Sequence, residues 1–302
     1  MERGQVRVRP HDLAAFYCFL ARIGGNQLDL KRALEDLNRN EFQGDLDDLL
    51  THMLYQIGST DPAIRDNLIY TMFGKLVMSD YLTEEQLTYL LTICLDEEHL
   101  FYRIGERGTD SVFTRSFSVL VVALILEKDR ETGFLNEDRM EAATAKCFRF
   151  LREEQDTRGY VETKGWAHSI AHGADALTEV IRHPLFDNGT MDDCLDVIQE
   201  CLFKEATTYV DDEDERLLFA IEVLLDQGLS EEHLSKWIEL LSTELEGLFQ
   251  QNGYSVEFFH TKGNVLRFMK SCYFRLIMKE DFFEARYIIE KVVERWTRKI
   301  YG

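Results

Sequence analysis

Proline is nearly absent from this chain of 302 residues, with 3 in all. Proline breaks helix interiors and punctuates strand-and-loop proteins, so its scarcity favours helices joined by short turns. Cys-x-x-Cys pairs are missing as well. The six cysteines, Cys18, Cys94, Cys147, Cys194, Cys201 and Cys272, are scattered over helical stretches and read as reduced core residues of a cytosolic protein. Basic charge is in deficit, with 34 Lys and Arg against 55 Asp and Glu and a net charge of −21. Phosphate binding needs a basic face, so nucleic acid is not an expected partner, and an anionic membrane surface is disfavoured on the same ground. Arg3, Arg7 and Arg9 form only a short cluster, most simply a solvated terminus. Long apolar runs are lacking too. Phe117 to Leu126 is the most hydrophobic stretch and falls well short of the ~20 residues that span a bilayer. The helix expected over Leu13 to Leu20 is too short and polar-flanked for a secretion signal, so a cytoplasmic location is expected.

What is present is helical periodicity behind repeated start signals. Hydrophobic residues make up 45% and charged ones 29%, which excludes a largely disordered chain. Asp61-Pro62 places a capping carboxylate and a first-turn proline before Ile64, Leu68, Ile69, Met72 and Phe73. Thr83 and Gln86 form a capping box ahead of Leu87, Leu90 and Leu91. Asn136 and Ser230 open two further helices, and a last helix is expected from about Phe282 to Ile300. Gly159 to Thr163 and Tyr254 to Phe258 are the only candidates for extended backbone. Short connections between helices imply an all-α fold of antiparallel helix pairs, stacked as a HEAT- or armadillo-like α-solenoid or an α/α superhelix. No strict internal repeat marks its period. The expectation is one helical-repeat domain over 1–302, with 127–136 the best place for a subdivision.

Four segments together carry a resemblance. They are Asp110-Ser111-Val112-Phe113-Thr114-Arg115-Ser116-Phe117-Ser118, Arg158-Gly159-Tyr160-Val161-Glu162, the run Lys164-Gly165-Trp166-Ala167-His168-Ser169-Ile170-Ala171-His172-Gly173-Ala174-Asp175, and Glu213-Asp214-Glu215-Arg216. In this order the chain resembles the bacterial domain-of-unknown-function family 2785. The resemblance implies a helical, HEAT-like fold and a cytoplasmic bacterial protein, and brings no reaction with it.

The third segment holds the most unusual chemistry. Read as one helix from Lys164 to Ile181, it puts Lys164, His168, His172, Asp175 and Glu179 within one polar band, with Trp166 and Ile170 on the other side. Two imidazoles one turn apart can reach a single divalent ion, and Asp175 completes a three-ligand set of His168, His172 and Asp175. No cofactor is required by the sequence, and a divalent metal is the one these residues would accommodate. The plainer reading is a pair of neutral histidines hydrogen-bonding between helices.

Arg115 enters the most apolar helix and needs an anionic partner. Asp175, Glu162 and the segment Asp211 to Glu215 are candidates, an interhelical ion pair being the simpler outcome and an anion site the other. The acidic segment reads as a helix N-terminus. His260 to Asn264 reads as an ordinary turn before a helix, with a weak phosphate-site alternative.

The expected function is a scaffold binding a protein or small-molecule ligand in a polar groove. Its ligand-contacting candidates are Arg115, Arg158, Lys164, Trp166, His168, His172 and Asp175. The rival expectation is a metal-assisted hydrolase using His168, His172 and Asp175, with Glu162 or Glu179 as base.

Overall fold

The computed structural model describes residues 29–39, 41–204, 207–279 and 281–302. Arg3, Arg7, Arg9, Cys18 and the helix expected over Leu13 to Leu20 lie outside them. The chain divides into two units, Met1–Met53 and Leu54–Gly302. In the first, helix α1 (Leu30–Asn38) starts where the Asp29 carboxylate accepts the Arg32 amide, and it buries Leu30, Ala33, Leu34 and Leu37. Helix α2 (Leu46–Tyr55) carries the chain into the second unit.

The start signals act there as expected. Asp61 caps α3 (Pro62–Ile64), which continues through a π-helical turn (Arg65–Tyr70) into α4 (Thr71–Met78). Both halves of the Thr83–Gln86 capping box form at the head of α5 (Glu84–Cys94). Helix α6 (Ser111–Thr132) is buried around most of its circumference along the run Phe117 to Leu126 and stops at Gly133, whose φ is 68°. A helix apolar on all sides has to be surrounded, and α4, α5 and α8 pack on it. Asn136 caps α7 (Glu137–Glu153), so 127–136 is the end of α6 and the turn into α7. A two-residue hairpin, β1 (Tyr160–Val161) and β2 (Gly165–Trp166), precedes α8 (Ser169–Arg182). Then follow α9 (Met191–Leu202), α10 (Glu213–Asp226), α11 (Glu231–Asn252), α12 (Val256–Met278) and α13 (Phe283–Tyr301).

The fold is all-α, the hairpin being the only sheet among the described residues. Alternate helices touch: α6 packs on α8, α8 on α10 and α10 on α12, while α7 packs on α8 and α9. Small residues make α8 the centre of this arrangement. A Cβ on Gly173 would come within 2.5 Å of the Leu151 side chain, so α7 and α8 meet at close range. The five described cysteines are buried and unpaired. No helix among the described residues is long and apolar enough to cross a membrane.

Three local expectations change. The helix read from Lys164 to Ile181 begins only at Ser169, because Tyr160 pairs with Trp166, and Val161 with Gly165, as antiparallel strands. Gly165 has φ of 78°, and a Cβ there would lie 2.8 Å from Pro62, so the chain turns where helical periodicity alone would carry it on. Tyr254 to Phe258 is not extended, since Ser255 caps α12. His260 to Asn264 is interior to α12 and offers no helix start for a phosphate. Asn264 is wholly buried and holds the 207–209 segment, accepting from the Tyr209 amide at 2.8 Å and donating to the Thr207 carbonyl at 3.1 Å.

Candidate functional site

The loop from Glu154 to His168 is clamped onto the head of α6. Arg115 and Glu154 are both excluded from solvent, and their groups meet side by side, Nε to Oε2 at 2.7 Å and Nη2 to Oε1 at 3.0 Å. The remaining Arg115 donors reach the Tyr102, Arg103 and Glu106 carbonyls and the Ser111 hydroxyl. No donor is left for a ligand, so Arg115 leaves the expected groove. Its partner is Glu154, and none of the acids named from the sequence. Arg158 pairs with Asp156 at 2.6 Å and donates to the Thr109 carbonyl at 2.7 Å, while Lys164 grips Asp110 at 2.7 Å. Val161 and Ala167 pack on Val112 and Phe113. Arg115, Arg158 and Lys164 therefore position the loop.

Arg65, in the π-helical turn, completes the clamp and was not anticipated. It is fully buried over the faces of Phe113 (4.1 Å) and Phe117 (4.8 Å) and donates to the Lys164 carbonyl at 2.7 Å. Burial pushes its pKa down against the opposing pull of Asp66, 2.8 Å away. A π turn adds a residue to the helix and re-aims side chains, and nothing in the residue pattern announces one.

The clamp sets up a continuous file of rings. Tyr70 meets Phe117 (6.1 Å between centroids), Phe117 meets His172 (5.4 Å) and His172 meets His168 (5.7 Å), all edge to face. His168 stacks on Trp166 at 4.4 Å, and Trp166 meets Tyr160 at 5.0 Å. Trp166 and Tyr160 are exposed at the outer end. His168 stands just before α8 in the left-handed region, at φ 48° and ψ 32°, which a non-glycine residue rarely adopts. The two histidines are thus brought together, but by a turn and an edge-to-face contact instead of one helical face.

Ser116 fixes the state of His172. Its hydroxyl donates to the Ala167 carbonyl and lies 2.7 Å from His172 Nδ1. With its one proton so used, Ser116 accepts from Nδ1–H, and His172 is the Nδ1 tautomer with a bare Nε2. Burial and the neighbouring His168 push its pKa down to about 3, so it is neutral. The bond joins α8 to α6.

On the same side of α8 the polar stripe continues into a cleft of about 340 Å³ between α6, α8 and α10. Tyr70, Glu127, Asp175, Glu179, Arg182 and Arg216 supply its polar lining. Asp175 accepts from Arg216 Nη1 at 2.8 Å. Burial nevertheless pushes the Asp175 pKa up, against the Arg216 charge and hydrogen bond. Burial, with Asp175 and Glu127 nearby, pushes Tyr70 up to about 12.

The ligand set expected of His168, His172 and Asp175 does not form. His172 is turned to Ser116 and Asp175 to Arg216. Among the described residues, one metal-type group has all its donor atoms within 4.8 Å of one another: His168, Asp211 and Glu213. The acidic segment lies at the head of α10 as expected, with Asp212 as the cap at φ 65°. Its carboxylates reach across to His168, an approach that linear order gives no means of anticipating. Gly159 makes room, since a Cβ there would lie 2.1 Å from Asp211 Oδ2.

A family model described as "Protein of unknown function (DUF2785)" matches residues 100–274, more than half of the chain. The chain belongs to this family. The DUF2785 match takes in the clamp apart from Arg65, the ring file from Phe117 outward, and the His168–Asp211–Glu213 group. No curated protein and no solved structure matches the chain.

Proposed function

We propose that this DUF2785 protein is a cytoplasmic helical-repeat binding protein, and that the cleft between α6, α8 and α10 takes a small polar ligand. The alternating contacts of α6, α8, α10 and α12 support stacked helix pairs of the HEAT-like kind, which build concave surfaces routinely. Five buried, unpaired thiols support a reducing compartment.

One observation carries the ligand reading: the Asp175–Arg216 pair inside the cleft. Arg216 keeps almost half of its side chain exposed (46%), while Asp175 keeps 22%. A carboxyl with a raised pKa beside an available guanidinium, in a cleft of ligand-pocket size, is the pattern of a recognition site. Glu179 Oε2 adds a buried carboxylate oxygen without a hydrogen-bond partner. Acids and arginines on one wall suit a ligand carrying both an ammonium and a carboxylate group.

The test is thermal unfolding of the full chain against a panel of free amino acids and diamines, with Arg216→Ala and Asp175→Asn alongside. A ligand of the native state raises the midpoint. A compound that stabilises the wild type and neither variant supports the cleft, whereas equal shifts in all three place binding elsewhere.

A further inference from the structure

Glu213 is 1% exposed, yet its Oε1 has no hydrogen-bond partner. His168 Nε2 is also shielded from solvent and also lacks one. The two atoms face each other at 3.8 Å, beyond hydrogen-bond reach. They are held there. Glu213 Oε2 accepts the Asp211 amide at 3.0 Å, which turns Oε1 towards His168. The His168 ring is stacked on Trp166 and abutted by His172. Asp211 closes the group, and its Oδ2 accepts the Tyr160 amide at 2.8 Å.

Buried polar atoms are paired as a rule, and an orphaned pair pointing at one space calls for an occupant. Two donors bound to one ion at ~2.1 Å each stand ~3.4 Å apart at a tetrahedral angle and ~4.2 Å apart when opposite. The 3.8 Å separation lies between these. We propose that His168, Asp211 and Glu213 bind a divalent transition-metal cation of the zinc or manganese kind. Two carboxylates balance the charge of a divalent ion, and the imidazole nitrogen disfavours magnesium and calcium, which take oxygen ligands. The hydrogen bonds to the second carboxylate oxygens and the stack on the imidazole are the supports that orient metal ligands. The assignment does not depend on the cleft being a ligand site.

The experiment is calorimetric titration of the full, untagged chain, stripped with chelator, using Zn²⁺, Mn²⁺, Mg²⁺ and Ca²⁺ separately, with tryptophan emission followed in parallel. The expected result is one Zn²⁺ or Mn²⁺ per chain, with a change in emission as the stacked imidazole is ligated. Affinity is expected to fall at least about tenfold in His168→Gln, Glu213→Gln and Asp211→Asn. The Asp192→Asn variant, altered at an exposed acid of α9, is expected to bind as the wild type does. Asp211 is only partly buried, so Asp211→Asn keeps the test decisive should Glu213→Gln fail to fold. Wild-type binding no tighter than millimolar, binding of Mg²⁺ or Ca²⁺ alone, or unchanged affinity in the folded variants would overturn the assignment.

Discussion

Arg115 Nε lies 2.7 Å from Glu154 Oε2, and neither side chain has any solvent exposure. Taking two charges out of water is costly, and here the pair is retained with every neighbouring donor and acceptor engaged. Glu154 Oε1 also accepts the Gln155 and Asp156 amides, so the pair ends α7 and fixes the loop onto α6. Removing one partner leaves the other charge buried and uncompensated. Glu154→Ala is therefore expected to cost about 3–5 kcal/mol. Urea unfolding measures it. Arg115→Met/Glu154→Leu is expected to lose less than the two single changes together, and strict additivity would count against the coupling.

Acid is expected to destabilise the chain through His172. An unfolded histidine titrates near 6.5, and the folded one is pushed down to about 3. Between those values the unfolded state holds the extra proton, so stability falls as pH falls, by up to about 1.4 kcal/mol per pH unit. Asp175, Glu213 and Asp214 have raised values and act with the opposite sign, since their folded forms take up protons first. The difference between wild type and His172→Gln isolates the imidazole. Between about pH 6.5 and pH 5 the variant is expected to lose about 1.6 kcal/mol less than the wild type. Parallel urea midpoints in the two proteins would refute this.

The helices were legible because their signals are local. Asp61-Pro62, the Thr83–Gln86 box, Asn136 and Ser230 each satisfy orphan amides within one turn of themselves. The candidate site was legible only in part. His168 and His172 do meet and Asp175 follows one turn on, and the acidic run 211–215 does start a helix. Trp166, expected on the opposite face, stacks on His168 from the hairpin. Their assembly depends on non-local geometry. Gly165 in a left-handed turn, the Tyr160–Trp166 pairing and the buried Arg65 bend the chain away from the helix that its periodicity describes. Asp211 and Glu213 join His168 only because α10 packs on α8, and a helical wheel drawn on one segment contains no such term.

Asp129 is expected to be a second buried anchor. Its Oδ1 accepts the Phe134 amide at 2.5 Å and the Leu135 amide at 2.9 Å, closing the turn after α6. Its Oδ2 lies 2.9 Å from His183 Nε2 at the end of α8. One carboxylate thus ties the C-terminal ends of the two helices that frame the cleft. Asp129→Ala strands two amides and an imidazole, and a loss of about 2–4 kcal/mol is expected. Asp129→Asn keeps an acceptor and is expected to lose less. Equal losses would show that packing, and not the bonds, matters at this position.

Gly159 offers the sharpest steric test. Its absent Cβ would lie 2.1 Å from Asp211 Oδ2 and 2.5 Å from Asp211 Cβ, a clash that no rotamer of the alanine methyl can avoid. Asp211 would have to move, and its bond to the Tyr160 amide would go with it. Gly159→Ala is therefore expected to cost about 1–3 kcal/mol, read by urea unfolding. The loosened hairpin, which carries Trp166, is expected to shift the tryptophan emission as well. Gly159→Ala/Asp211→Gly removes the obstructing side chain, so it should recover part of that stability relative to Gly159→Ala alone. A double variant no more stable than Gly159→Ala would mean that the clash is relieved elsewhere in the loop, and the close approach of Asp211 would not be what requires glycine.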